Sequence, residues 1–383
     1  VNDPGGVLPP LATLQAALRK TTEGLAHQLG RPAPGPPDWS DFEWRIARAV
    51  AALHGISPAL AARLQWQGPQ GWRQFLEAQR QHTQVRAARL QQSLQLIGEH
   101  AQRQRVGFVA LKGVALCELG IYAPAERPMS DLDLLVREDG AAAMSRALMG
   151  VGLRPTHASW KEQVFEPEGA PEAGTFGEHA DNPIKVDLHT RIGERLPARL
   201  VDISPLIVPA ALQAGVNPYA SRAALMLHLL LHAAGEMVFR TLRLIQLHDI
   251  GLLAAQFSAD EWQEVLRQRS APWGLWWALP PLSLVARYYP SVPPAVLAEL
   301  QGSGSAAMRR SARALVSEVS YSNMLRSALP GIDWTRSPGE RLNYAAERAL
   351  ISVRALLGAS TRPAAAAPQQ APNPQPAKVP WHR

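Results

Sequence analysis

The sequence predicts an α+β fold: a small mixed β-sheet with helices before it and a helical domain after it. Three observations predict it. Residues 71–104 carry apolar side chains at helical spacing without a break. Residues 131–136 (DLDLLV) and 183–189 (PIKVDLH) alternate polar and apolar side chains with the period of two that marks a strand. From residue 221 to about residue 357 the periodicity is again helical.

In chain order, residues 11–29 read as a helix stopped at Gly30, and residues 31–37 as a proline-rich linker. Residues 44–53 and 58–67 read as short helices. The long helix over 71–104 offers Phe75, Leu76, Val85, Leu90, Leu94 and Ile97 as its buried stripe. It delivers the chain into residues 106–113 (VGFVALKG), a buried strand that turns at Gly113 into a short apolar helix over 114–119. After the DLDLLV strand come a helix over 138–149, closed by Gly150 and Gly152, and a short strand at 163–165. Residues 170–182 are glycine-rich, acidic and without period, as expected of a flexible hairpin or lid. The tail from Thr361 is rich in alanine, proline and glutamine, which bury too little apolar surface to offset the entropy of ordering. The chain thus divides into residues 1–40 (helix and linker), 41–105 (helical), 106–205 (sheet core), 206–358 (C-terminal helical domain) and 359–383 (disordered tail).

The chemistry starts from the alternation. Successive side chains of a strand point to opposite faces, so Asp131 and Asp133 share one face while Leu132, Leu134 and Val136 share the other. Two adjacent carboxylates repel each other, and a hard divalent cation such as Mg²⁺ relieves the repulsion. An Asp-x-Asp pair also recurs by accident at solvent-exposed strand rims. Its neighbourhood favours the metal. The same alternation over 183–189 puts Lys185, Asp187 and His189 on one face, with Asp187 as a third carboxylate. Gly113 permits close backbone approach, and the helix N-terminus beyond it favours an anion. Lys112 and Arg127 bring positive charge for a phosphate, Arg127 with bidentate geometry.

At the helical end, Ser221 is a plausible N-cap, followed by a helix with Leu225, His228, Leu229 and His232 on adjoining faces. Leu229 follows His228, so the HExxH pattern of zinc proteases is absent. His228, His232 and the His248-Asp249 pair suggest a helical metal phosphohydrolase; the simpler reading makes them hydrogen-bonded groups near a domain interface. Trp273, Trp276 and Trp277 read as helix packing rather than a base-stacking platform.

At 383 residues the chain has room for two domains. The single cysteine, Cys117, excludes an internal disulfide, suits a reducing compartment and reads as a buried structural thiol. No uninterrupted apolar run approaches the ~20 residues that span a bilayer, and no signal-peptide pattern opens the chain; the expectation is a cytoplasmic protein without membrane insertion. The net charge of +7 is spread along the chain, and aromatic residues do not interleave with a basic cluster, so nucleic acid is not an expected partner.

The order LKG, short helix, Y-x4-R-x2-SDLDLLV, helix, then VDLH resembles the uncharacterised nucleotidyltransferase family of bacteria, within the DNA polymerase β-like nucleotidyltransferase superfamily. The resemblance runs over residues 90–253. It implies a nucleotidyltransferase core in which three carboxylates hold two Mg²⁺ ions, bind a nucleoside triphosphate such as ATP and activate an acceptor hydroxyl, with release of pyrophosphate. By this resemblance Asp131, Asp133 and Asp187 are the catalytic metal ligands, and Lys112, Gly113, Arg127 and Ser130 are nucleotide-binding. Arg240, Arg243 and Asp249 match a looser pattern, in which Arg243 pairs with Asp249 or faces the nucleotide. Many relatives place Ser after the glycine; here Val114 follows Gly113, and Ser130 is the nearby hydroxyl. The gene surroundings typical of the family point to a sugar, a small molecule or a peptide hydroxyl as acceptor. A non-catalytic nucleotide-binding or scaffold member is the alternative within the same fold.

Overall fold

Alternation along the DLDLLV strand decides how the molecule is layered. The computed structural model describes residues 9–169, 176–197, 199–303, 311–324, 329–335 and 337–360. Strands β1 (Gly107–Ala110), β2 (Asp131–Val136), β3 (Leu153–Ala158), β4 (Glu162–Pro167), β5 (Lys185–His189) and β8 (Gly215–Asn217) form a six-stranded mixed sheet in the order β3-β4-β5-β2-β1-β8. A separate two-stranded ribbon pairs β6 (Gly193–Arg195) with β7 (Leu200–Asp202). β2 runs antiparallel to β1 and parallel to β5. The α+β class expected from the sequence is the class observed.

Each face of the sheet has its own core. Leu132, Leu134 and Val136 join Phe108, Ala110, Phe165, Val186 and Leu188 in one cluster, closed by Leu90 and Ile97 of α4 (Gln70–Arg103) and Met144 and Leu148 of α6 (Ala141–Gly150). The opposite, aspartate-bearing face contributes Val109, Leu111 and Leu135 to a larger cluster. That cluster includes side chains from α1 (Leu11–Gly30), α2 (Asp41–Leu53), α3 (Ser57–Arg63), α7 (Ser204–Ile207), α8 (Arg222–Phe239) and α9 (Leu244–Ala254). The acidic face therefore looks towards the helical parts of the molecule.

Several elements follow the sequence closely. The Ser221 hydroxyl accepts the Ala224 N–H at 3.1 Å and caps α8, as expected. Trp276 and Trp277 are buried, and their indole N–H groups donate to the carbonyls of Trp273 and Gly274. α8 is, among the described residues, the one helix long and apolar enough to cross a membrane, yet 78% of it is buried inside the protein. Its apolarity suits the centre of a packed domain.

Other elements differ. Val85 is 50% exposed, and Arg86, only 2% exposed, takes the buried place on α4. Cys117 is exposed, because α5 (Gly113–Glu118) packs through Val114, Ala115 and Leu116. β3, β6, β7 and β8 were not expected; β3 buries only Leu153, and the others have three residues each, too short to show a period. Residues 170–175 of the expected lid and the tail from residue 361 lie outside the described residues.

Leu134 is 0% exposed on the far side of β2. Leu134→Ala is expected to lower stability by about 3 kcal/mol. Urea unfolding measures this, and a loss under about 1 kcal/mol would contradict the two-core packing.

Candidate active site

Parallel pairing sets Asp133 directly opposite Asp187 and Asp131 opposite Lys185. On the next strand, β4 places Val164 opposite Asp187 and Glu162 opposite His189. One sheet face thus presents Asp131, Asp133, Asp187, His189 and Glu162 together. Ligand atoms of Asp133, Asp187 and His189 lie within 4.8 Å of one another, the one such cluster among the described residues. His189 Nε2 is 2.9 Å from Asp133 Oδ1, and its Nδ1 is 3.3 Å from Glu162 Oε2. His189 was not among the expected site residues, although the alternation of VDLH already put it on the face of Asp187.

The electrostatics are those of crowded carboxylates. Burial, and then the neighbouring Asp133, push Asp131 up. Burial, with Asp131 and Asp133, pushes Asp187 up to about 6. Burial alone would raise Asp133 too, but the Lys112 ammonium and His189 outweigh it and hold its carboxyl well below the usual range. Lys112 Nζ is 3.1 Å from Asp133 Oδ1. Burial opposes the charge on Lys112, yet Asp133 and Asp131 raise its pKa. An oxygen-rich set with one imidazole beside it fits a hard divalent cation, Mg²⁺ included.

Lys112 belongs to an unusual turn. The Val114 N–H donates to the Leu111 carbonyl at 3.3 Å, closing a turn around Lys112 and Gly113. Lys112 has φ 47° and ψ −109°, a conformation that costs a side-chain-bearing residue about 1–3 kcal/mol. At Gly113 a Cβ would collide with Arg127 Nη1 and stand 2.8 Å from Met129 Sδ, so glycine lets Arg127 lie across the turn. Arg127 donates from Nε and Nη2 to both oxygens of Asp249, at 2.9 and 2.7 Å, while the Tyr122 hydroxyl donates to the same carboxylate at 2.6 Å. Asp249 therefore pairs with Arg127 and not with Arg243, which lines the cleft. Ser130, exposed and next to Asp131, stands at the rim of the cleft.

A polar stripe on α4 holds the two aspartate strands together. Gln79, His82, Arg86 and Arg89 are three, four and three residues apart and fall on one helical face. Gln79 exchanges two hydrogen bonds with the backbone of Glu178, and His82 Nδ1 accepts the Ala180 N–H. Arg89 donates to the Ala180 carbonyl. Arg86 pairs with the Glu178 carboxylate at 2.6 Å and donates to the carbonyls of Asn182, Met129 and Ser130. The backbone leading into β2 is thereby tied to that leading into β5. A reading that seeks apolar stripes passes over such a set; polar residues at helical spacing were the available signal.

All seven residues expected from the sequence, Asp131, Asp133, Asp187, Lys112, Gly113, Arg127 and Ser130, line one cleft of about 770 Å³. His228, His232 and Asp249 also reach its wall, but each has a partner inside the fold. His228 bonds to Tyr219, His232 to Gln246 and His248 to Tyr289. The hydrogen-bonded reading of these histidines accounts for them, and they do not gather with Asp249 into a metal set.

A model of the uncharacterised nucleotidyltransferase family matches residues 40–290, and the chain belongs to that family. The match takes in α2 and α4 before the sheet, the whole sheet, and α8 and α9, and leaves out α1. No curated protein and no solved structure matches the chain.

The raised Asp187 has a consequence for stability. Between its ordinary value of 3.8 and about 6, the folded protein keeps a proton that the unfolded chain has released, so its stability falls as pH rises through that window. Without added metal, Asp187→Asn is expected to remove this slope and gain about 1 kcal/mol at pH 7, after allowing for solvent screening of a partly exposed carboxyl. Urea unfolding of both proteins at pH 4 and pH 7 in chelator gives the comparison; parallel changes would contradict the assignment.

Proposed function

We propose that the cleft transfers a nucleoside monophosphate from a nucleoside triphosphate to a hydroxyl of a sugar, another small molecule or a peptide, releasing pyrophosphate. The observation that carries this is the direct pairing of Asp133 with Asp187, with Asp131 on the same face, at the floor of a cleft whose walls supply Lys112 and Arg243. Family membership supports the same class of reaction. Asp131, Asp133 and Asp187 would hold two Mg²⁺ ions, which when bound neutralise triphosphate charge and make the acceptor hydroxyl more acidic.

The chain's own residues supply the rest. Lys112, which neutralises Asp133 in the metal-free protein, is placed to turn its ammonium to triphosphate oxygens. Arg243 adds a second cation at the wall, and the turn at Lys112–Gly113, with the Ser130 hydroxyl, makes up the phosphate side in place of the missing Gly-Ser. Arg127 holds that turn through Asp249. Asp187, directly opposite Asp133, is placed to draw the acceptor hydroxyl to the metal site, and its carboxylate can take the hydroxyl proton. The acceptor oxygen forms its bond to the α-phosphorus as the bond from that phosphorus to the bridging oxygen breaks, and pyrophosphate leaves.

Two outcomes are expected. Asp131→Asn and Asp133→Asn each lower Mg²⁺-dependent pyrophosphate release, screened over the common triphosphates and a panel of hydroxyl acceptors, by a factor on the order of 10²–10³. No Mg²⁺-dependent triphosphate binding, with both variants unchanged, would sink the proposal; binding without pyrophosphate release would favour a non-catalytic nucleotide-binding protein. Lys112→Gln removes a competing cation from Asp133. In calorimetry it is expected to raise affinity for Mg²⁺ alone and to weaken triphosphate binding about tenfold, or about 1.4 kcal/mol.

A further inference from the structure

We propose that Tyr219 and His228 are positioning residues for the transfer reaction, acting through the backbone of Lys112. The inference rests on the nucleotidyl-transfer reading of the cleft. Its starting point is the Lys112 backbone. Arg240, another residue with positive φ, sits at φ 60° and ψ 40°, the ordinary left-handed well at a helix end. Lys112, at φ 47° and ψ −109°, lies outside that well, at the first central position of a type II′ turn where glycine is the usual occupant. A glycine there would relieve the turn and lose the ammonium. Lysine keeps the ammonium against Asp133, provided something holds the backbone.

The holding group follows β8, the edge strand that runs parallel to β1. The Lys112 N–H donates to Tyr219 Oη at 3.0 Å, across 107 positions of sequence. That oxygen carries one proton, and 2.8 Å away stands His228 Nδ1. With the Lys112 N–H already donated to that oxygen, the hydroxyl O–H is free to donate a hydrogen bond to His228 Nδ1, which accepts it. Burial, reinforced by the Lys112 ammonium, keeps the His228 ring neutral, so Nδ1 is available as an acceptor. His228 is buried on α8, and Tyr219 follows β8 at the sheet edge. The chain of hydrogen bonds therefore runs from α8 to the strained backbone of Lys112, whose ammonium pairs with Asp133 of the proposed metal set. It also gives His228 a role that does not require it to bind metal.

The test is a double-mutant cycle on the full chain. Affinity for α,β-methylene ATP with Mg²⁺ is measured by calorimetry for the wild type, Tyr219→Phe, Lys112→Gln and the double variant, with hydrogen exchange at the Lys112 amide as an independent readout. Tyr219→Phe is expected to weaken the analogue about fivefold in the wild-type background and less than about twofold beside Lys112→Gln, because the two act as one unit. The Lys112 amide should lose its protection in Tyr219→Phe while amides of α8 keep theirs. His228→Asn, which keeps an acceptor near the place of Nδ1, should retain most of the affinity; His228→Leu should match Tyr219→Phe. Equal weakening in both backgrounds, or an unchanged Lys112 amide, overturns the inference. A wild type that binds no triphosphate overturns the proposed function and the positioning role with it, whereas a binding wild type with an indifferent Tyr219→Phe overturns only the positioning role.

Discussion

Mutual repulsion among three carboxylates on one sheet face is the constraint round which the rest of the site is arranged. Asp133 and Asp187 are register partners on adjacent parallel strands, and Asp131 is two residues away on the same side. In water such a set would separate or take up protons. Here the strands hold it in place, so the relief comes from neighbours: Lys112 and His189 both reach the same oxygen of Asp133. The carboxylates without such a partner are the ones whose pKa values rise. A divalent cation would serve all three at once, which is why the geometry favours one.

Holding charged groups against repulsion takes a stiff frame, and two arginines, Arg86 buried and Arg127 largely so, provide much of it. Arg86 ties the approaches to β2 and β5 to the long helix, and Arg127 fastens the LKG turn to α9 through Asp249. Buried ion pairs of this kind contribute little net stability, since desolvation offsets most of the attraction. Their contribution is geometric: each has hydrogen-bonding partners in a fixed arrangement that specifies where the backbone lies. The glycine at position 113 belongs to this frame as much as to any phosphate site, because the Arg127 guanidinium occupies the space a side chain would need.

The helices before and after the sheet are therefore part of the site. Arg86 comes from the helix before the sheet, Asp249 and His228 come from helices after it, and Arg243 stands at the N-cap of α9. His54 shows the same reach: its Nδ1 accepts the Leu244 N–H at the start of α9, and its Nε2 meets the Ser322 hydroxyl. Burial holds its pKa near 3, so it stays a neutral cap at the cleft-facing end of that helix.

Much of the site was legible because alternation is a local property of the chain. A period of two assigns Asp131, Asp133, Asp187 and His189 to faces before any strand has a partner, and the cap at Ser221 is equally local. Short edge strands such as β8 carry too few residues to show a period, and a buried arginine on a polar helix face looks like any solvated one. Register, the partner of Asp249, the burial of Arg86 and the positive φ of Lys112 belong to none of the segments taken singly. The sequence by itself determined which side chains share a face. Only the tertiary structure decided that the faces of β2 and β5 coincide with Asp133 against Asp187, because strand pairing depends on packing between segments more than fifty residues apart, where a slip of one residue would turn the acidic face away.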